Sequence, residues 1–364
     1  MKVCILSAVN IKHMSLITLY TEVMKKQGIE YDIIYMDKYD EDEYFECAHK
    51  YRYVNVIEQS LPALVKAAKY MKFLGYARKI LNREKYDFVI VWNDVAIFMF
   101  ADYLPRKYKG KYCLNVRDNM KYEKKLLQHR YQKMFENAAF CTTSSMGYLE
   151  FLPKGIDYVP IHSFNLSVLE GMQCHTGLRS EGEPIRIGFI GYVRYFDRNK
   201  KLLKIFANDP RFELHYYGKK ADVLREFAEA EGIRNTVFHD GFPVEQTKDF
   251  MEKIDVINNL YGNDSVGVRT AISIKYFHAL YAKVPVLVCP NTYVGQVAKE
   301  AGIGFEVDDD HIDAKMKDEL YEWYRSLDFG QIEKNCEARL QQATEENARF
   351  EQLLLDFLGK CEEG

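Results

Sequence analysis

The sequence predicts an α/β protein of two doubly wound parallel-sheet domains, and three observations predict it. Apolar runs of strand length alternate with helix-length segments from one end of the chain to the other, which is the pattern of repeated βαβ units. These runs are nearly continuous hydrophobics, as strands covered on both faces require. A polar stretch at 165–184, carrying Gly171, Gly177 and Gly182 and ending at Pro184, interrupts the rhythm once. At 364 residues the chain is long enough for two cores of ordinary size.

In the first domain, 1–164, strands are expected within 2–10, 30–37, 86–93, 112–118, 139–145 and 157–162, because KVCILSAVN, EYDIIYMD, YDFVIVWN, YCLNVRD, AFCTTSS and DYVPIH each concentrate apolar residues. After the linker at 165–184 the second domain, 185–330, restarts the series with IRIGFIGYV, FELHYYG, TVFHDG, DVINNLYG, VPVLVCP and GIGFEVD. The last segment, 331–364, places Phe350, Leu353, Leu354 and Phe357 at helical spacing and predicts a long terminal helix.

Composition narrows the function classes. Apolar residues at 48% and charged residues at 28% are those of a soluble globular protein. No apolar run approaches the roughly 20 residues a membrane span needs, and MKVCILSAVN lacks a signal-peptide layout, so a cytoplasmic location is expected. The eight cysteines are scattered without a CxxC pair or zinc spacing, which favours buried reduced thiols over disulfides or metal ligands.

Charge is unevenly divided. Residues 1–160 hold 25 Lys+Arg against 19 Asp+Glu, leaving 25 against 34 in the remainder. The segment 61–85, LPALVKAAKYMKFLGYARKILNREK, has seven basic residues and one acidic one, with Leu64, Ala67, Ala68, Met71, Leu74, Tyr76 and Ile80 as an apolar stripe. Such a helix suits peripheral docking on an anionic membrane surface. It equally suits a domain helix that packs its apolar face on the sheet. Nucleic acid explains the charge less well, since no RNA-binding signature accompanies it, and no nucleic-acid partner is expected.

Open parallel sheets bind ligands at the carboxyl ends of their strands, so two such domains predict a site in the cleft between them. The first strand ends in SAVN with no glycine. The first strand of the second domain, Ile185–Ile190, instead runs into Gly191, then a turn carrying Arg194, then a helix whose first turn offers Lys200 and Lys201. A glycine strand end, two cations and a helix N-terminus together make an anion site suited to a diphosphate. The alternative is a surface Arg and Lys on a solvated helix.

The chain resembles the GT-B glycosyltransferases, whose two Rossmann-like domains face across a cleft, and its C-terminal half looks like the retaining family 4 type that builds bacterial surface polysaccharides such as capsule. The resemblance is carried by GYVRYFDRNKK (191–201), FHDGF (238–242), SIKYFHALYAKVPVL (273–287), NVRDN (115–119) and AFCTTSSMGYL (139–149). It implies a cofactor-free, metal-independent enzyme with a nucleoside diphosphate sugar, UDP- or GDP-linked, as donor and a glycan or lipid-linked saccharide as acceptor. By position, Arg194 and Lys200 would neutralise the diphosphate as catalytic groups, and Lys275 would lie near the same nucleotide. Gly191 would let the nucleotide approach the backbone, Tyr217, Gly218 and Phe242 would border base and ribose, and Asn263 and Asp264 would reach the donor sugar. The terminal helix would cross back to the first domain.

This chain also departs from the family pattern. His278 stands where the family has the glutamate that holds the ribose, and Thr270 stands at the earlier glutamate. A neutral imidazole accepts one hydrogen bond where a carboxylate grips with two oxygens. Lys283 and Val284 replace the usual Gly-Lys before Pro285.

Arg117 and Asp118, at a strand end, would orient an acceptor or donor hydroxyl as catalytic residues, or else form an ion pair or a helix N-cap. His13 follows the first strand, His162, Asn93 and Asp94 lie at strand ends, and for lone histidines a structural role is the commoner one. The reading is therefore a retaining glycosyltransferase, with a non-catalytic binding protein of the same fold or a nucleotide-sugar 2-epimerase as alternatives.

Overall fold

The computed structural model describes residues 1–14, 17–58, 60–119, 122, 124–162, 164 and 166–362, with side chains throughout except at 125, 126 and 360–362. Asn165, Glu363 and Gly364 lie outside the described residues, as does the Cys361 side chain. The chain divides into two compact units, Met1–Ser163 with Thr344–Gly364, and Phe164–Ala343.

Unit 1 holds seven strands: β1 Val3–Ser7, β2 Tyr31–Asp37, β3 His49–Val54, β4 Phe88–Trp92, β5 Tyr112–Val116, β6 Phe140–Thr143 and β7 Tyr158–Pro160. They pair in the order β3-β2-β1-β4-β5-β6-β7, always parallel. In register, Ile5 pairs with Ile33 and Ile90, and all three are fully buried. Six strands follow from apolar runs, but β3 does not. Its sequence HKYRYV is half exposed at the sheet edge, where an inward face alone needs covering and charged residues discourage further pairing. Phe350, Leu354 and Leu358 of the helix Phe329–Glu362 belong to the same core.

Unit 2 has six strands: β8 Ile185–Ile190, β9 Phe212–Tyr217, β10 Thr236–His239, β11 Val256–Asn258, β12 Val286–Val288 and β13 Gly304–Glu306. Their order is β10-β9-β8-β11-β12-β13, again all parallel. Two apolar clusters cover the two faces, and β12 divides its residues between them, Val286 and Val288 to one and Leu287 to the other. Gly188 is required here, because a Cβ at that position would stand 2.2 Å from Ile254 Cγ2. The sheet reverses its winding direction between β8 and β11, which makes the strand ends there the natural ligand crevice.

The polar segment that the sequence sets apart as a linker packs onto unit 2. Leu169 and Met172 enter its core, the Gln173 N–H donates to Glu252 at 2.8 Å, and the Arg179 N–H donates to the Tyr324 hydroxyl at 2.9 Å. Its few apolar residues anchor it although its composition is that of a loop.

Candidate functional site at the strand ends of unit 2

A cavity of about 590 Å³ opens at the carboxyl ends of β8, β9 and β10 and against the start of the helix Ile274–Ala282. Six of the residues singled out from sequence line it: Gly191, Arg194, Gly218, Phe242, Lys275 and His278.

Two glycines bring the strand ends together. A Cβ on Gly218, whose φ is +140°, would stand 1.9 Å from the Gly191 carbonyl oxygen, so no other residue fits there. Above Gly191, whose φ is +118°, a Cβ would meet nothing within 4 Å, which leaves room for a ligand against the backbone. The Gly191 N–H itself is engaged, donating to the Tyr217 carbonyl at 2.8 Å.

The turn after Gly191 carries Arg194, exposed, with its guanidinium 5.4 Å from the Tyr192 ring centroid. The buried Asn199 side chain pins that turn by donating to the carbonyls of Arg194 at 2.8 Å and Tyr195 at 3.1 Å. Asn258, at the end of β11, donates to Asn199 in turn at 3.0 Å. Arg198 is occupied by an ion pair with Asp309.

Lys275 projects from the first turn of its helix, whose N-cap Ser273 accepts a hydrogen bond from the Lys275 N–H. Its Nζ donates to the Tyr261 hydroxyl at 2.6 Å and lies 3.4 Å from the Phe189 ring centroid. Burial, and secondarily the Arg194 charge, push the Lys275 ammonium well below its usual range. One turn on, His278 is 8% exposed, and its Nε2 has no hydrogen-bond partner among the described residues. Burial and the neighbouring Lys275 lower this imidazole to about 4, so it is neutral at physiological pH. The lining thus holds Arg194, Lys219 and Lys275 and no carboxylate.

Other expected residues lie elsewhere. Lys200 sits on the flank of the helix Phe196–Ile205, its Nζ 5.2 Å from the Phe227 ring centroid, and does not line the cavity. Tyr217 is buried with its ring 4.5 Å from that of Phe250. Asn263 donates to the Pro290 carbonyl at 3.0 Å, and Asp264 is exposed outside the cavity. Thr270 bonds back to the Val266 carbonyl within its own helical turn. Lys283 takes the left-handed conformation, φ +59°, that the family's glycine would adopt, and pairs with Glu333 and Glu337.

In unit 1, Arg117 and Asp118 follow β5. Arg117 is half-buried, its backbone N–H donating weakly to Asp94 at 3.4 Å, whereas Asp118 is exposed and accepts from the Asn119 N–H at 2.7 Å. The next helix starts only at Lys125, so Asp118 does not cap it. Asp94 is buried and accepts from the Tyr122 hydroxyl at 2.6 Å. Desolvation raises this carboxyl to about 7, although that hydrogen bond opposes the rise. Asn93 caps the helix Asp94–Phe100 through the Ala96 N–H. His162 pairs with Glu346 and its N–H donates to Asn347, tying the end of the sheet to the terminal helix. His13 contacts the Tyr39 hydroxyl at 3.1 Å.

Tyr261, Lys219, Asn199 and Asn258 are absent from the sequence reading. Lys219 directly follows a strand-end glycine and carried a usable signal. The asparagine pair is 59 residues apart in sequence and carried none.

No protein-family profile and no curated protein matches this sequence. Solved structures do match along its whole length. Sucrose-phosphate synthase from Thermosynechococcus elongatus superposes with a TM-score of 0.70 at 12% identity, covering 99% of each chain. Anabaena Alr3699/HepE, solved in complex with UDP, gives 0.65 at 11% identity, covering 98% of this chain and 100% of that one. The fold is GT-B. A UDP-N-acetylglucosamine 2-epimerase shares it, with a TM-score of 0.57 at 15% identity over 93% of this chain and 90% of the other. The GT-B fold therefore limits the chemistry without choosing it, and the side chains of the cavity must do so.

Proposed function

We propose that this protein is a retaining, metal-independent hexosyltransferase that moves a sugar from a UDP- or GDP-linked donor to a lipid-linked glycan during bacterial surface polysaccharide assembly. The observation that carries the reading is the cavity at the ends of β8, β9 and β10, basic and without a carboxylate in its lining. When the bond to the anomeric carbon breaks, the leaving diphosphate gains negative charge. Arg194 and Lys275 meet that charge without a divalent ion, as does the N-terminus of the helix Ile274–Ala282. Phe242 supplies an apolar flank for the base, and neutral His278 a hydrogen-bonding group for a hydroxyl. Epimerisation needs carboxylates beside the sugar, which this lining does not offer. Acceptor recognition is assigned to unit 1, where Arg117 and Asp118 follow β5.

The test is a thermal-shift screen against UDP, GDP, ADP, CMP and their sugar conjugates, followed by donor turnover with the nucleotide that binds. Stabilisation by one diphosphate series, unchanged by EDTA, is expected. No shift with any nucleotide would sink the transferase reading. Binding without sugar release, with or without acceptor, would favour a non-catalytic protein.

The lipid-linked acceptor draws support from the helix Ala63–Glu84, which divides its apolar residues. Phe73, Leu74, Ala77, Ile80 and Leu81 are buried, while Leu64 at 85%, Met71 at 62% and Val65 at 42% stay exposed beside Lys66, Lys69 and Lys72. Apolar side chains among lysines, with no acidic residue before Glu84, suit an anionic lipid surface. Leu64→Ser with Met71→Ser should reduce co-sedimentation with phosphatidylglycerol vesicles several-fold at unchanged thermal stability. Equal sedimentation of the variant and the wild type would remove the membrane role.

A further inference from the structure

Lys275 is an anomaly in an otherwise ordinary hydrophobic setting. At 6% exposure it makes no ion pair among the described residues, and its Nζ is enclosed by the Phe189 and Tyr261 rings, at 3.4 and 4.7 Å from their centroids. Buried lysines are normally paired with a carboxylate, since an isolated ammonium loses its hydration. The groups that face this one are of the wrong sign or neutral. Arg194 approaches from the turn after β8, Lys219 from the end of β9, His278 from the same helix, and Tyr261 with the tilted Tyr195 ring beside it from the loops after β11 and β8. The counter-charge is missing from the protein and the cavity beside it is open, so the ligand is the group that supplies it.

Resting on the donor-site reading above, we propose that the cavity takes up a proton at Lys275 Nζ as it takes up the diphosphate. In the free protein the amine is neutral, donating one N–H to the Tyr261 hydroxyl and keeping a lone pair. When the diphosphate enters beside Arg194, its negative charge makes the ammonium the favoured form, and a proton passes from a buffer acid or hydronium to that lone pair. No other bond forms or breaks. The cation is thus created only in the occupied site. Between turnovers the empty cavity holds one full positive charge fewer, and Arg194 and the future ammonium do not repel each other across an unoccupied pocket. Once bound, the same proton faces the extra negative charge that the nucleoside diphosphate acquires on losing its sugar. The device therefore favours the cleaved state over the intact donor.

The test is calorimetric titration of the intact protein with UDP and with GDP near pH 8, in two buffers that differ in ionisation enthalpy. At that pH the terminal phosphate, with its second pKa of about 6, is already ionised and contributes no uptake. Expected is a binding enthalpy that changes with the buffer by an amount equal to uptake of about one proton per bound nucleotide. The buffer dependence should vanish in Lys275→Met and persist in His278→Gln. Equal enthalpies in the two buffers would leave the donor site standing and overturn proton uptake. Loss of buffer dependence in His278→Gln would move the proton to the imidazole and overturn the assignment to Lys275. Where Lys275→Met binds too weakly to titrate, the His278→Gln result decides alone. Absence of binding by either nucleotide overturns the donor-site reading and this inference together.

Discussion

Arg194→Ala is expected to lower kcat by about 10²- to 10³-fold, the usual loss when one donor aimed at transition-state charge is removed. The effect should fall mainly on kcat and less on KM. A bound donor diphosphate already carries negative charge that any cation attracts, but the charge released on leaving-group departure exists only as the bond breaks. Folding should be almost indifferent, with Tm changing by no more than an ordinary surface substitution allows. Arg194 is exposed, and its guanidinium lies over the Tyr192 ring. Arg194→Lys should restore part of the rate, because it returns the charge without the planar fork that holds two phosphate oxygens at once. Steady-state kinetics with the preferred donor checks this directly. A raised KM at unchanged kcat would assign Arg194 to ground-state binding and leave the transition-state charge to other groups.

The legibility of this site in the sequence followed the range of the interactions that build it. Gly191, Arg194 and Gly218 were readable because a strand end, a glycine and a following helix are contiguous in the chain, and local chemistry constrains them. Lys275 and His278 stood out only through a family motif. The burial that makes them unusual comes from Phe189 on β8 and Tyr261 in the loop after β11. Lys200 shows the opposite limit. A helix turns about 100° per residue, and with Asn199, Leu202 and Leu203 facing inward Lys200 is carried to the flank beside Phe227. Charge and nearness in sequence pointed to the cavity, whereas the helical phase pointed away from it. At fold level the continuous apolar runs made twelve strands readable, and β3 escaped because an edge strand can be built from HKYRYV.

Lys275→Met is expected to make the unliganded protein more stable and its binding of nucleotide weaker. The sign follows from the direction in which burial moves this lysine. Its ammonium is held well below the 10.5 that it has in the unfolded chain. Between those two values the unfolded state carries a proton that the native state lacks, so unfolding takes up a proton and stability rises with pH. For one such group the slope is about 1.4 kcal/mol per pH unit. Below the native value the penalty is constant, and above about 10.5 it is gone. Methionine has a similar length, no charge and a liking for aromatic neighbours, so it fills the space between Phe189 and Tyr261 without that penalty. The variant's Tm should therefore exceed that of the wild type near neutral pH, and the two should converge as pH approaches 10.5. The Phe189 face returns only part of the cost of a charge there. Thermal melts of both proteins from pH 7 to pH 10, with and without UDP or GDP, provide the measurement. A methionine variant less stable than wild type at neutral pH would mean that the ammonium is compensated within the fold itself. A residue that weakens the free protein and strengthens only the occupied one is retained for its ligand, and that combination separates a binding lysine from a structural one.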